Sequence, residues 1–215
     1  MLSTVRSAIA FAALLALAGC SAMRPAPVVQ GHTLKVPDGA LTRIAVIPFT
    51  HRDTMRPTSV AVTSPTMAAE LVTRFVTDAV AKRGIEVIPA SDLVTAFTAQ
   101  GLKPYDINPR TAAELAASKF GATSILMGQV SRYRERQGES FGSTSGASVS
   151  FSAILYAAPV AHRFWNKAFD ETQRPLSEHI LNAPRYPGGG TRWLTAAELA
   201  QWGAQAMVDT IPVAP

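Results

Sequence analysis

The sequence predicts an α/β fold. We expect a mixed β-sheet with a parallel βαβ start and an antiparallel hairpin, helices packed on the sheet, and an extra carboxyl-terminal helix. Two patterns predict it. In the first half, short apolar runs alternate with stretches whose apolar residues recur every three or four positions. From residue 148 the apolar period shortens to two, which is typical of strands with one buried face.

The parallel start is predicted from residues 43–89. The β-branched run 43–49 is typical of a buried strand. Ser64 and Pro65 supply an N-cap and a first-turn proline for a helix that ends at Gly84. Strand 85–89 follows, so the two strands form a parallel pair with a right-handed crossover. The predicted apolar stripe of the helix is Met67, Ala68, Leu71, Val72, Phe75, Val76, Ala79 and Val80.

Two helices and a third strand continue the unit. Ser91-Asp92 is the predicted cap of a helix that ends before Gly101. Thr111-Ala112-Ala113-Glu114 has the pattern of a capping box, and its helix is expected to end at Gly121. Strand 123–130 follows at once.

The antiparallel hairpin is predicted from alternation. Four apolar residues alternate with serines and are expected to face the core: Val149, Phe151, Ala153 and Leu155. Pro159 marks the turn, and residues 162–169 supply the return strand with Phe164 or Trp165 inward. A short helical stretch is expected near 176–181.

The amino terminus predicts export. A single charge at Arg6 precedes the apolar run 8–18, which is about half of the roughly 20 residues that a membrane-spanning helix needs. Leu17-Ala18-Gly19-Cys20 resembles the lipobox of bacterial lipoproteins. The resemblance implies cleavage between Gly19 and Cys20, with diacylglycerol and palmitate on Cys20, the single cysteine of the chain.

The chain divides into four predicted segments. Pro25, Pro27 and Pro37 indicate a flexible tether before the domain, with a reach of roughly 25 Å. Thr195-Ala196-Ala197-Glu198 is a capping box that begins the last helix. The segments are the signal peptide 1–19, the lipidated cysteine and tether 20–40, the α/β domain 41–173, and the helical extension 174–215, which is expected to pack on the domain.

Composition narrows the partners. With 47% hydrophobic and 16% charged residues, the chain can bury a core. The formal charge of +5 favours anionic lipid or cell-wall polymer as the counter-charge, because an exported protein meets little nucleic acid. Ser21 lacks the aspartate that commonly retains lipoproteins at the inner membrane. We therefore expect an outer-membrane anchor with the domain facing the periplasm.

One stretch resembles a known group of envelope proteins. Thr111-Ala112-Ala113-Glu114-Leu115-Ala116 leads through Phe120-Gly121-Ala122 to Ile125-Leu126-Met127-Gly128-Gln129-Val130. This order is similar to a signature of the curli-secretion-channel lipoproteins, the lipoprotein activators of penicillin-binding proteins and the amino-terminal domain of the Tol translocation protein. The resemblance covers about 43–169 and concerns architecture. Further on, the chain has Phe169-Asp170-Glu171-Thr172-Gln173 and the pattern Gly-Gly-x-x-Trp-Leu-Thr-x-x-Glu-Leu at 189–199. In these patterns the part from Asp170 onward resembles a family of uncharacterised proteobacterial lipoproteins.

No catalytic constellation is predicted. The histidines His32, His51, His162 and His179 lack partners at metal-binding spacing. Gly142-Ser143-Thr144-Ser145-Gly146 has threonine where a nucleophile elbow needs serine. Gly188-Gly189-Gly190 lacks the lysine of a phosphate loop. We therefore expect no enzyme activity, no metal and no cofactor.

One polar strand remains a candidate contact. If the third strand continues, Arg132, Arg134 and Arg136 share one face and could hold phosphate or carboxylate groups. The favoured interpretation is a charged strand end that resists aggregation. Asp170, Glu171 and Glu178 are candidates to pair with it.

The leading functional prediction is a non-enzymatic partner-binding module in cell-envelope assembly or maintenance. The membrane, envelope proteins, the cell wall and further copies of the chain are the expected partners. One alternative is a subunit of an outer-membrane secretion channel of the curli type. A second alternative is an activator of a peptidoglycan synthase.

Overall fold

The structure, a computed structural model, describes residues 28–52, 63–140, 143–174 and 186–212. The signal peptide, Cys20 and the stretch 176–181 lie outside these ranges. Within them the predicted α/β class is confirmed. The helices are α1 (Pro65–Lys82), α2 (Ala90–Ala99), α3 (Pro109–Phe120) and α4 (Ala196–Val208), with a 3-10 turn at Pro187–Gly190. The strands are β1 (Val29–Thr33), β2 (Arg43–Val46), β3 (Thr50–His51), β4 (Glu86–Ile88), β5 (Ser124–Arg134), β6 (Gln137–Gly138), β7 (Ser143–Ser145), β8 (Ser148–Ala157) and β9 (His162–Thr172).

The main sheet has two halves that meet at β5. In the parallel half, β2 lies between β4 and β5, with Ala45 opposite both Ile88 and Ile125. β3 continues beside β5 after β2 has ended. In the antiparallel half the order is β5, β8, β9, β1, and Phe151 lies opposite Phe169. The predicted parallel pair and the predicted hairpin are both present.

The parallel half is buried on both faces. Ile44 and Val46 pack on the side of α1 and α4, whereas Ala45 and Ile47 pack on the side of α2 and α3. A strand covered on both faces needs apolar side chains at every position. This explains why residues 43–49 form a continuous apolar run.

The antiparallel half is buried on one face. Its four predicted inward residues, Val149, Phe151, Ala153 and Leu155, are each at most 1% exposed. The ladder between β8 and β9 shifts register between Leu155 and Tyr156. Such a bulge places one extra residue on one strand. Phe164 and Trp165 are therefore both buried, where alternation predicts one.

Helix α1 forms where predicted and buries five of the eight residues of the predicted stripe. The Ser64 hydroxyl accepts a hydrogen bond from the Met67 N–H at 3.2 Å, as an N-cap does. Met67 is 53% exposed and Phe75 is only partly buried. Small side chains let the helix approach the sheet closely, so its centre of burial lies on Ala68, Ala69, Val72, Val76, Ala79 and Val80.

Two predicted caps are wrong in position. Helix α3 begins at Pro109, because the Asn108 side chain accepts the Thr111 N–H at 2.9 Å and takes the N-cap role. Helix α2 has Pro89 as its N-cap residue, before the predicted Ser91-Asp92. Gly121 ends α3 with φ of +64°, as predicted.

The predicted tether 20–40 is too long. Val29 pairs with Phe169 and Thr33 pairs with Trp165, so β1 is an edge strand of the sheet. Ala40 is 3% exposed and belongs to the core. Backbone hydrogen bonds hold β1, and its side chains are mostly exposed, so composition does not reveal it.

Helix α4 completes the core. Its capping box is present as predicted: the Glu198 N–H donates to the Thr195 hydroxyl at 3.1 Å, and the Thr195 N–H donates to the Glu198 carboxylate at 2.9 Å. Leu199 and Met207 are fully buried in the same cluster as α1 and β8. None of the helices in the described ranges has the length and apolar character needed to cross a membrane.

Candidate functional site

The three predicted arginines do not form one open face. Arg132 forms an ion pair with Asp170 and donates from Nε to the Ser148 hydroxyl at 2.6 Å. Arg134 lies on the same side and donates to the same hydroxyl at 3.3 Å. Arg136 lies beyond the end of β5 and donates to the main-chain carbonyl of Trp193. Arg132 and Arg134 therefore connect β5 to β8, Arg132 also connects it to β9, and Arg136 connects the end of β5 to the loop before α4.

Two polar residues that the sequence interpretation missed join the strand ends to α4. The Glu135 carboxylate accepts the Ala196 N–H at 3.0 and 3.1 Å, at the positive end of the helix dipole. The buried Gln173 side chain accepts the Leu194 N–H at 2.7 Å and donates to the Arg192 carbonyl at 2.9 Å. Both residues stabilise the start of α4.

The shifted pKa values of this region do not favour acid–base chemistry. The two-pronged pairing of Arg192 with Glu198, at 3.0 and 2.7 Å, lowers the pKa of Glu198 to about 2 and raises the pKa of Arg192. Burial, and then the nearby Glu135 charge, raise the pKa of Tyr133 to about 12. None of these three groups exchanges protons near neutral pH.

A notch opens where the parallel half ends. Strand β4 stops at Ile88, opposite Ala45, while the neighbouring chain continues through residues 46–49 into β3. Two cavities flank this stretch. One of about 300 Å³ is lined by Ile47, Pro48, Thr50, Pro104, Tyr105, Asp106, Ile107, Asn108, Met127 and Gly128. The other, of about 330 Å³, is lined by Phe49, Thr50, His51, Thr66, Ala69 and Tyr105. We call the two cavities and β3 between them the notch.

The two cavities lie on opposite faces of the sheet. Ile47 and Met127 in the first belong to the side of α2 and α3. Phe49 and Ala69 in the second belong to the side of α1 and α4. Tyr105 lines both cavities and is 53% exposed. Ligands of open α/β sheets bind at the carboxyl ends of strands where the strand order reverses, and β2 and β5 meet here in that way.

Unpaired polar atoms face the notch at His51. The Arg52 N–H donates to the Val130 carbonyl at 2.9 Å, and Thr50 lies opposite Gln129. Successive residues of a strand direct their backbone groups to opposite sides, so the N–H and C=O of His51 point away from β5. In the described part of the chain neither group has a hydrogen bond, and the buried Nδ1 of His51 has none either.

Gly128 shapes the floor of the notch. A Cβ at this position would lie 1.4 Å from Cε1 of the buried Phe49 ring, so only glycine lets that ring cross β5. The Phe49 N–H donates to the Thr73 hydroxyl at 2.9 Å, which fixes the chain at this point. Gly128 belongs to the Gly128-Gln129-Val130 end of the signature noted in the sequence, which is the one local signal for this site.

The described residues contain no group of three or more His, Cys, Asp or Glu that could hold a metal ion. His32 lies on β1, His51 on β3 and His162 at the start of β9. His179 lies outside the described ranges.

No protein-family model matches the chain. No curated protein matches it either. Similar solved structures include lipoprotein GNA1162 from Neisseria meningitidis, with 15% identity, a TM-score of 0.44, and coverage of 66% of this chain and 92% of that one. A PelC dodecamer from Paraburkholderia phytofirmans has 13% identity, a TM-score of 0.46, and coverage of 83% and 97%.

The LpoB carboxyl-terminal domain from Salmonella enterica has 19% identity, a TM-score of 0.41, and coverage of 62% and 84%. These structures match the group suggested by the sequence, at low sequence identity. Similarity at this level does not transfer a function.

Proposed function

We propose that the protein is a periplasmic lipoprotein, anchored in the outer membrane through Cys20, that acts as a non-enzymatic partner-binding module in cell-envelope assembly or maintenance. The observation that carries the proposal is Leu17-Ala18-Gly19-Cys20 at the end of an apolar run of signal-peptide length. Acylation consumes the thiol, which accounts for a single cysteine in a chain of 215 residues.

The use of polar groups supports binding in preference to catalysis. Arg132, Glu135 and Gln173 are engaged in contacts that hold the fold together. The notch instead combines an apolar floor at Phe49 with the unpaired Nδ1 of His51 and with backbone groups of His51 that point away from β5. Such a combination favours contact with another chain over proton transfer.

The short chain before β1 supports action close to the anchoring membrane. Eight residues, 20–27, separate the start of the mature chain from the first described residue. Fully extended, they span at most about 28 Å. Partners are then other lipoproteins, proteins of the same membrane, cell wall or further copies of the chain. This reach disfavours activation of a synthase in the opposite membrane.

The anchor is tested by labelling cells with a fatty-acid probe. Cys20→Ser should abolish the label and leave the precursor uncleaved, because the thiol is the acceptor. Ser21→Ala is the matched control and should label normally. Label on the Cys20→Ser chain would refute the lipobox interpretation.

The membrane address is tested separately by density fractionation. The wild-type chain should sediment with the outer membrane, and Ser21→Asp should move it to the inner membrane. Retention of the wild-type chain in the inner membrane would contradict the proposed address but not the acylation.

A further inference from the structure

We propose that the notch binds an extended peptide segment of a partner protein, which adds to the sheet beside β3 as a short strand. This inference rests on the proposed binding function and names the kind of partner that the module takes. The class of ligand is a polypeptide in β conformation with alternating apolar and hydrogen-bond-donating side chains.

The backbone of His51 provides the pairing groups. Its N–H and C=O both point away from β5, whereas Thr50 and Arg52 direct theirs toward it. One residue that offers both groups on one side can exchange two hydrogen bonds with a single residue of an added strand. Buried or half-buried backbone groups without partners cost free energy, which a docked segment recovers.

The two cavities match the side-chain period of a strand. Successive side chains of a strand point to opposite faces of the sheet. The cavities also lie on opposite faces and share Thr50 and Tyr105 at the edge between them. A segment paired with His51 therefore places neighbouring side chains in different cavities.

The linings indicate which side chains fit. Phe49 and Ala69 give the cavity beside α1 an apolar floor. This cavity suits an aliphatic side chain. The Asp106 carboxylate in the other cavity accepts hydrogen bonds, so that cavity suits a donor such as asparagine or lysine.

Exposure at the rim also favours a separate chain as the occupant. Tyr105, which lines both cavities, is one of the four large hydrophobic residues that are exposed among the described ones. Aromatic side chains are enriched in protein interfaces. Strand addition at a sheet edge is an established mode of peptide recognition, in which backbone bonds provide affinity and alternate pockets provide specificity.

The test uses the full acylated chain, purified in detergent, and a phage library of random 12-residue peptides as the probe. A selected peptide is then resynthesised with single N-methyl groups along its length. Methylation at a residue whose N–H faces β3 should weaken binding by about tenfold, and methylation at its neighbours should change binding little. Loss confined to one position, with tolerance at its two neighbours, supports strand addition beside His51. Equal sensitivity at every position, or a helical bound peptide, overturns it.

Two protein variants localise the site. His51→Pro removes the N–H that faces the notch and leaves the Thr50 and Arg52 bonds to β5, so binding should fall by about tenfold. His51→Ala keeps that N–H and should retain more of the affinity. If His51→Pro fails to fold, Thr66→Trp decides the matter, because an exposed indole fills the cavity beside α1. The remote exposed turn variant Val160→Trp is its control. Unchanged binding by Thr66→Trp overturns the proposal.

Failure here differs from failure of the proposed function. If Cys20 carries lipid and partners crosslink elsewhere on the chain, the binding module stands and the notch assignment is wrong. If peptides bind the notch but Cys20 carries no lipid, the anchor is wrong and the notch stands. Stronger binding after deletion of 53–62 would show that the chain's own residues are the occupant, and would overturn the partner assignment.

Discussion

The two halves of the sheet differ in strand length and in how many of their faces are buried. In the parallel half, β2 and β4 have four and three residues and are covered by helices on both faces. In the antiparallel half, β5, β8 and β9 have ten or eleven residues that complete each other's hydrogen bonds. Because β4 ends at Ile88, the chain that follows β2 has no strand beside it on that side. The long strands β5, β8 and β9 pair with one another along most of their length. Stability therefore concentrates in the antiparallel half, and binding potential concentrates where the parallel half ends.

The largest expected effect is in the antiparallel core. Phe169 is fully buried, and its ring centre lies 5.3 Å from that of Phe151 and 5.7 Å from that of Trp202. Phe169→Ala should cost about 3–5 kcal/mol of unfolding free energy in urea, from lost transfer energy and a cavity. Phe75→Ala is the matched control on α1 and should cost about half as much, because Phe75 is partly exposed. Equal costs would contradict the assigned burial.

The next effect concerns the floor of the notch. Gly128→Ala forces the new methyl group against Phe49, at 1.4 Å without relaxation, and should destabilise the fold by about 1–3 kcal/mol. Phe49→Leu makes room, so the double variant should be more stable than the sum of the single changes implies. Additive costs in urea unfolding would show that the two residues do not compete for space.

A smaller effect depends on pH at the start of α4. Folding lowers the pKa of Glu198 from its ordinary value of 4.5 to about 2. The ionised carboxylate therefore stabilises the fold fully above pH 4.5. That stability is lost as the pH falls from about 4.5 toward 2. Glu198→Gln should lower the melting temperature at pH 7, and the difference from wild type should vanish in acid. Glu114→Gln, in an exposed pair with Arg110, should change little. A difference that persists at pH 2 would contradict the cause given.

The smallest effect is expected on the open face of the antiparallel half. Asp170→Asn removes the ion pair with Arg132 and leaves the Arg132 bond to Ser148 in place. Because the Asp170 side chain is 64% exposed, the change should cost less than about 1 kcal/mol in urea unfolding. A loss of several kcal/mol of unfolding free energy would contradict this expectation, because solvent should screen an ion pair as exposed as this one.

Local patterns explain what the sequence could predict. The period of apolar residues located α1 and the hairpin, because each buries one face in the core, and the capping box at Thr195 located α4. Strand β1 was not predicted, because backbone hydrogen bonds to β9 hold it in place and its side chains show no alternation of apolar and polar residues. The notch could not be predicted, since it depends on β4 ending before β3 begins and on the approach of Tyr105 to His51 from a distant part of the chain. The part played by Glu135 likewise depends on where α4 docks.

The edge strand β1 also has a mechanical consequence. If Cys20 is held in a membrane while a partner holds the domain, tension enters the fold at residue 28 and runs along β1. The five residues of β1 pair antiparallel with β9, from Val29 opposite Phe169 to Thr33 opposite Trp165. A pull along the strand axis loads these pairs together in shear, whereas a pull across the strand would break them one at a time. Under the proposed anchoring, β1 bears this load between the membrane and the core.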